Sequence, residues 1–150
     1  MKPAGIISSC LGIGYLKGGG TYAAIVVALA WYFSQAKTPS LPGQLIVTVS
    51  LILVGIFAAS AVEKDWGKDS YKVVIDEAAG MMITLFLIPV DWRYALTGLA
   101  LFRFFDIVKP LGIKKAERLP GGWGVMADDA LAGMYAHVVL WFIILAVKLF

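Results

Sequence analysis

Val73-Val74-Ile75-Asp76-Glu77-Ala78-Ala79-Gly80-Met81-Met82-Ile83-Thr84-Leu85-Phe86-Leu87-Ile88-Pro89-Val90 is an apolar run whose only charges are two adjacent carboxylates near its start. Further apolar runs lie on either side of it, at Ile6 to Leu16, Tyr22 to Phe33, Leu45 to Val62, Tyr94 to Val108 and Ala130 to Phe150. The 150 residues are 60% hydrophobic and 15% charged, against about 45–50% and about 25% in an ordinary soluble domain. With a mean hydropathy of +0.82, the chain belongs in a bilayer, where a spanning helix satisfies its own backbone polar groups. The pattern predicts an all-α fold, a polytopic transmembrane helical bundle of about five spans. The first run is far short of the roughly 20 residues that cross hydrocarbon, and no small-residue cleavage site follows it. It is therefore expected as a retained, short N-terminal re-entrant or interfacial helix folding beside Gly12 to Gly20. No linker, repeat or low-complexity stretch divides the chain, so residues 1–150 read as a single domain. Cys10, the one cysteine, has no basic or His neighbour to activate it and reads as a packing residue.

Five crossings make the connections alternate between two ends. One end carries Lys17, Lys64, Lys68, Lys72, Lys109, Lys114, Lys115 and Arg118; the other carries only Lys37, Arg93 and Lys148. This bias predicts that the first end is cytoplasmic. Its lysines and arginines favour an anionic phospholipid membrane surface, so the net charge of +3 calls for no nucleic-acid partner.

The same threading brings Asp76-Glu77, Asp106 and Asp128-Asp129 to that end, the last pair opening the final span. Taken singly, each acid has an alternative reading as a helix cap that satisfies free amides and complements the dipole. Taken together, their mutual repulsion calls for a divalent cation, and a hard ion such as Mg²⁺ suits carboxylates plus a phosphate. Arg103 shares a helical face with Asp106, three residues on, and Lys109 follows before the helix-stopping Pro110. These two cations fit either structural ion pairs or a phosphate clamp. Gly80 and Gly133 each lie four residues after an acid, on its face, and would let helices close around the site. The clusters Gly18-Gly19-Gly20 and Gly121-Gly122-x-Gly124 match no nucleotide-binding fingerprint and read as hinges before phosphate cradles. His137 reads as a buried hydrogen-bonding residue, and Trp31, Trp92 and Tyr94 as interfacial anchors.

Three blocks carry a family resemblance: Asp69-Ser70-Tyr71-Lys72-Val73-Val74-Ile75-Asp76-Glu77-Ala78-Ala79-Gly80-Met81, Phe102-Arg103-Phe104-Phe105-Asp106-Ile107-Val108-Lys109-Pro110, and Pro120-Gly121-Gly122-Trp123-Gly124-Val125-Met126-Ala127-Asp128-Asp129-Ala130-Leu131-Ala132-Gly133. In order and spacing the chain closely resembles phosphatidylglycerophosphatase A, from about Gly12 to the final span. The resemblance implies a bacterial inner-membrane enzyme, multi-pass, that uses Mg²⁺ to remove the terminal phosphate of phosphatidylglycerophosphate, leaving phosphatidylglycerol. Two departures stand out. The family's Pro-Gly-Thr-x-Gly-Ser is here Gly19-Gly20-Thr21-Tyr22-Ala23-Ala24, and its Lys-Pro-Trp-Pro is Lys109-Pro110-Leu111-Gly112. Thr21 carries over, whereas the serine and the prolines do not.

The expected catalytic set is Asp76, Glu77, Arg103, Asp106, Lys109, Asp128 and Asp129. Within it Glu77, Asp106, Asp128 and Asp129 are expected to hold metal directly or through water, with Asp76 beside them. Thr21, Lys64, Asp69, Arg103 and Lys109 are the expected substrate-binding residues. Attack by water and attack by a carboxylate free of metal both fit this set. A transporter would place its charges near the bilayer midplane, and a lipid scaffold would not need repeated acidic pairs. Asp-x-Asp-x-Thr, cysteine-loop and histidine phosphatases lack their residues here. Within the enzyme class, the rival expectation is a phosphatase for phosphatidic acid or another lipid phosphate.

Overall fold

The computed structural model describes residues 2–37, 40–110 and 112–149; Leu111 of the departing Lys-Pro block and Phe150, the end of the last apolar run, lie outside them. Every regular element among the described residues is helical: α1 (Pro3–Ser8), a single 3₁₀ turn at Ile13–Tyr15, α2 (Gly19–Lys37), α3 (Leu41–Trp66), α4 (Ile75–Thr84), α5 (Trp92–Val108), α6 (Ile113–Ala116) and α7 (Gly122–Leu149).

Local chemistry sets the boundaries. Ser40 caps α3 by accepting from the Gly43 amide at 3.1 Å, and the left-handed Gly67 ends it. Asp91 caps α5 through the Arg93 amide, 2.8 Å away. At the other end of α5, Lys109 takes a left-handed conformation (φ 47°) immediately before Pro110, which disfavours continued helix.

The apolar run that opens the sequence does not form one long helix. Helix α4 has only 10 residues, about 15 Å at 1.5 Å per residue, and the chain then turns through Leu85 to Leu87. The expected span from Val73 to Val90 is corrected accordingly. Helix α4 is instead the centre of the bundle, packed against α2, α3, α5 and α7, and most of its residues are buried. One face, with Met81, Met82 and Leu85, packs with Ala24, Ala28, Trp31, Phe102 and Leu140. An adjoining sector, with Ile75 and Ala79, packs with Ile56, Ala59, Val125 and Met126. The helix can stop at Thr84 because its end is satisfied inside the protein: Thr84 Oγ1 donates to the Gly80 carbonyl at 2.9 Å, and Gln44 Oε1 accepts from the Leu87 amide at 3.0 Å. Buried non-helical backbone is tolerated where protein groups supply its hydrogen bonds.

Gln44 also donates to Gln35 at 3.0 Å, so the α2–α3 and α4–α5 connections meet at one end of the bundle. At the other end the N-terminal segment docks on the α3–α4 connection. The Val74 amide donates to the Ser8 carbonyl at 2.8 Å, and Lys2 pairs with Asp65 at 2.8 Å.

Two helices, α3 with 26 residues and α7 with 28, are long and apolar enough to cross a membrane. Their outer faces expose large apolar side chains, among them Phe57 at 74% and Phe142 at 68%. Trp31 departs from its expected interfacial role. It follows Ala24 and Ala28 on the inner stripe of α2 and is buried in the core. Trp92 remains exposed.

Helices α4 and α7 touch backbone to backbone. A Cβ on Gly133 would collide with the Gly80 carbonyl, and one on Gly80 would meet Phe102 and the Asp129 carbonyl at 2.5–2.7 Å. Gly133→Ala should therefore destabilise the detergent-solubilised protein by about 1–3 kcal/mol. Leu145→Ala, on the outer face of α7, should stay within about 0.5 kcal/mol. Equal thermal midpoints for the two variants would refute a tight crossing.

Candidate active site

The α4–α7 contact places acids from two helices against each other. Asp76 and Glu77 occupy the first turn of α4. Asp128 and Asp129 lie well inside α7, which starts at Gly122, so the expectation that they open the last span is corrected. Nor is any of the four the residue that caps its helix. Helix α7 starts early because the Gly122 amide donates to Ser60 Oγ at 2.8 Å and the glycine fits directly against the Ile56 carbonyl. Gly121 and Gly122 thus pack against α3, and Gly124 against the carbonyls of Glu117 and Leu119.

Carboxylate oxygens of Asp76, Glu77 and Asp129 lie within 4.8 Å of one another. Asp76 Oδ1, Glu77 Oε2 and Asp129 Oδ2 are buried and find no hydrogen-bond donor among the described residues. Buried polar atoms are otherwise almost always paired, and three neighbouring acids, each with an oxygen that finds no donor, form the kind of oxygen-rich set that a hard divalent cation takes.

The other two expected ligands are engaged by cations. Arg103 Nη1 donates to Asp106 Oδ2 at 2.5 Å and lies 3.7 Å from Glu77 Oε1. Lys109 Nζ donates to Asp128 Oδ2 at 2.5 Å and to Glu117 Oε2 at 3.4 Å. Asp128 Oδ1 in turn accepts from the Asp129 amide at 3.0 Å. The five acids, Arg103 and Lys109 therefore meet at one end of the bundle, with Asp76, Glu77 and Asp129 innermost. Burial opposes the charge of Lys109, but Asp128, Glu117 and Asp69 outweigh it and hold the ammonium above its usual range. Asp69, in the α3–α4 loop, is raised by burial and by the neighbouring Glu117 carboxyl, against the pull of Lys109.

Glu77 also faces outward, into a cleft of about 490 Å³ lined by Tyr15, Leu16, Lys17, Gly18, Gly19, Gly20 and Tyr71. Gly20 is packed so closely that a Cβ there would overlap the Glu77 carboxylate and stand 3.2 Å from Arg103 Nη1. Thr21 follows in the first turn of α2, its amide bonded to the Gly18 carbonyl at 3.0 Å. Lys64 is exposed on the last turn of α3 and is not among the residues that line this cleft. Cys10 is half-buried; burial, with a smaller contribution from Glu77, pushes its thiol up to about 11, which suits a packing residue. His137 Nδ1 lies 3.2 Å from the Thr84 carbonyl, to which a protonated Nδ1 donates.

Sequence reasoning missed Glu117, Tyr15 and Tyr71. Glu117 sits in the basic string Lys114-Lys115-Ala116-Glu117-Arg118, where nothing local marks it. Tyr71 lies two residues after the expected Asp69, whereas nothing near Tyr15 marks it.

Residues 6–144 match the family described as Phosphatidylglycerophosphatase A. The chain belongs to the phosphatidylglycerophosphatase A family. Family membership makes it a phosphoric monoester hydrolase. It is 35% identical over 129 residues to the Escherichia coli phosphatidylglycerophosphatase A, covering 83% of this chain and 73% of that one. It is 41% identical over 99 residues to the Haemophilus influenzae phosphatidylglycerophosphatase A, covering 64% of this chain and 61% of that one. A Bacteroides thetaiotaomicron protein, provisionally named phosphatidylinositol-3-phosphatase, is 39% identical over 151 residues, covering 93% of this chain and 95% of that one. No solved structure matches.

If the inner acids take a cation, a saturating divalent ion should stabilise the folded protein, by roughly 2.7 kcal/mol at a hundredfold excess over Kd. Melting curves of purified protein should show Mg²⁺ raising the wild-type midpoint. Asp129→Asn, which removes one of three repelling charges, should melt no lower than wild type without metal and gain nothing from Mg²⁺. An equal Mg²⁺ shift in both proteins would remove Asp129 from the ligand set.

Proposed function

We propose that this family member is a single-domain, Mg²⁺-dependent phosphatidylglycerophosphatase that removes the terminal phosphate of phosphatidylglycerophosphate at the cytoplasmic face of a bacterial inner membrane. The observation that carries the reading is the trio Asp76, Glu77 and Asp129, with its three donorless oxygens, opening through Glu77 into a glycine-lined cleft. Mg²⁺ held there would neutralise phosphate charge and lower the pKa of a bound water.

The chain's own groups do the rest. Glu77 belongs both to the trio and to the cleft wall and sets the trio against an entering phosphate. Arg103, beside Glu77 and behind the cleft wall, gives up its contact with Glu77 or Asp106 to grip phosphate oxygens with its planar fork. Lys109 keeps Asp128 fixed and adds positive potential as charge develops in the transition state. Water is the nucleophile in this reading, and the small Gly18-Gly19-Gly20 segment leaves room for phosphate and water together. Thr21 and Asp69 border the reacting region, whereas Lys64 serves the approach to an anionic surface.

In the bilayer, α2, α3, the broken α4 segment, α5 and α7 make five passes, with the lysine-rich connections inside the cell and α1 lying at the interface. The buried Gln35–Gln44–Leu87 network supports this threading, because it supplies hydrogen bonds where α4 stops short. A second substrate, phosphatidylinositol 3-phosphate, is favoured by the near full-length similarity to the Bacteroides protein that carries that name. Both lipids bear a phosphomonoester on a polyol that is joined to the lipid by a phosphodiester.

Phosphate release by purified protein should be fastest from phosphatidylglycerophosphate, slower from phosphatidylinositol 3-phosphate and phosphatidic acid, and dependent on Mg²⁺. Arg103→Lys should lose on the order of 100-fold in turnover; near-normal kcat and KM would leave Arg103 a structural ion-pair residue. Failure of the wild type to cleave phosphatidylglycerophosphate would sink the substrate assignment. Ser70→Cys and Lys115→Cys, each in a Cys10→Ala background, should label only from the cytoplasmic side. Labelling from opposite sides would break the five-pass threading.

A further inference from the structure

We infer that the cavity between the α3–α4 loop and α6 is a second phosphate subsite, which receives the phosphodiester of the lipid headgroup while the terminal phosphomonoester lies at the acid trio. This rests on the reading of the chain as a phosphatase of phosphorylated polyol lipids.

The cavity has a volume of about 370 Å³ and is walled by Lys68, Asp69, Lys114, Glu117 and Arg118. Its residues come from two segments distant in sequence. Gly67 ends α3 and Asp69 takes a left-handed turn (φ 53°), which brings Lys68 and Asp69 to one wall. Helix α6 and the turn after it supply the other.

Two features connect the cavity to the reaction. Lys109 Nζ holds Asp128 on one side and Glu117 on the other, at 2.5 and 3.4 Å, so one ammonium links a wall residue of the cavity, Glu117, to the acid cluster. That ammonium is already committed to two carboxylates and is not available to a second anion. Lys68, Lys114 and Arg118, by contrast, take part in no ion pair among the described residues. The wall thus carries three cations, Lys68, Lys114 and Arg118, against two acids, Asp69 and Glu117, and the second of these already has Lys109 beside it, so the balance favours an anion. Phosphate is the anion that Arg and Lys side chains recognise best, the first by a planar fork and the second as a point charge.

A lipid with a phosphomonoester beyond a phosphodiester fills both places at once. Phosphatidic acid has one phosphate and leaves the cavity empty. The subsite is therefore a specificity device. It adds affinity for the diester-bearing lipid and acts on binding in the ground state and the transition state alike, which lowers KM without changing kcat.

The test is a double variant, Lys114→Gln with Arg118→Gln, assayed in neutral phosphatidylcholine vesicles so that surface attraction of anionic lipid is small. Lys115→Gln, a neighbouring lysine outside the cavity wall, controls for loss of charge. We expect KM for phosphatidylglycerophosphate to rise at least roughly tenfold with kcat within about twofold, while the affinity for phosphatidic acid, as substrate or competitor, moves less than about twofold. Lys115→Gln should leave all these values within about twofold. An unchanged KM for phosphatidylglycerophosphate, an equal loss on both lipids, or a loss confined to kcat would each overturn the subsite. A wild-type protein inactive on phosphatidylglycerophosphate would instead overturn the functional reading on which it rests.

Discussion

The backbone contact between Gly80 and Gly133 governs the geometry of the site. Gly80 lies one helical turn beyond Asp76, and Gly133 one turn beyond Asp129. Where two helices touch at glycines their axes approach to within reach of short side chains on adjoining turns, and Asp is short. Larger residues at the crossing would push α4 and α7 apart, and the trio's oxygens would no longer lie within 4.8 Å. The same crossing explains why α4 can be so brief. A helix of 10 residues has little intrinsic stability, but this one is enclosed by four others and derives its order from packing in both clusters.

Concentrating carboxylates in an apolar protein is unfavourable unless something answers their charge. Two different answers operate here. The outer acids, Asp106 and Asp128, are matched by Arg103 and Lys109 at hydrogen-bond distance. The inner acids are not matched by any basic side chain at that distance: Arg103 stands 3.7 Å from Glu77, and Asp76 and Asp129 have no ion-pair partner among the described residues. The trio is therefore the part of the cluster whose charge is not met at hydrogen-bond distance by a basic side chain among the described residues.

Much of this was legible in the sequence because the signals were either global or chemical. Helical class followed from hydropathy, and the convergence of Asp76, Glu77, Arg103, Asp106, Lys109, Asp128 and Asp129 followed from alternation of apolar runs plus their spacing. What hydropathy could not register was the break after Thr84. Leu85, Phe86, Leu87 and Ile88 are as apolar as any helix interior, and Pro89 comes too late to mark the stop. The turn there is held by a hydrogen bond that the Leu87 amide donates to Gln44 Oε1, 43 positions away. Trp31 was misread for a related reason. A tryptophan near the end of an apolar run looks like an anchor until the stripe Ala24–Ala28–Trp31 is seen to face α4. Glu117 was hidden because its partner, Lys109, lies beyond a proline and outside any helical spacing rule. Asp128 and Asp129 looked like the opening of a span because the apolar run begins after them, whereas α7 starts at Gly122 through contact with Ser60 and Ile56 of α3.

The two ends of the bundle show how polarity is divided along the chain. At the α2–α3 end, buried neutral amides of Gln35 and Gln44 satisfy broken backbone without introducing charge, which suits depth in an apolar medium. At the other end, ion pairs, acids and glycines are gathered where three connections and the N-terminal segment meet. Helix α4 joins the two ends: the turn that follows it is held by Gln44, and its first turn carries Asp76 and Glu77. Motion of the short central helix would move two acids of the trio together, so the neutral network at one end constrains the carboxylate geometry at the other.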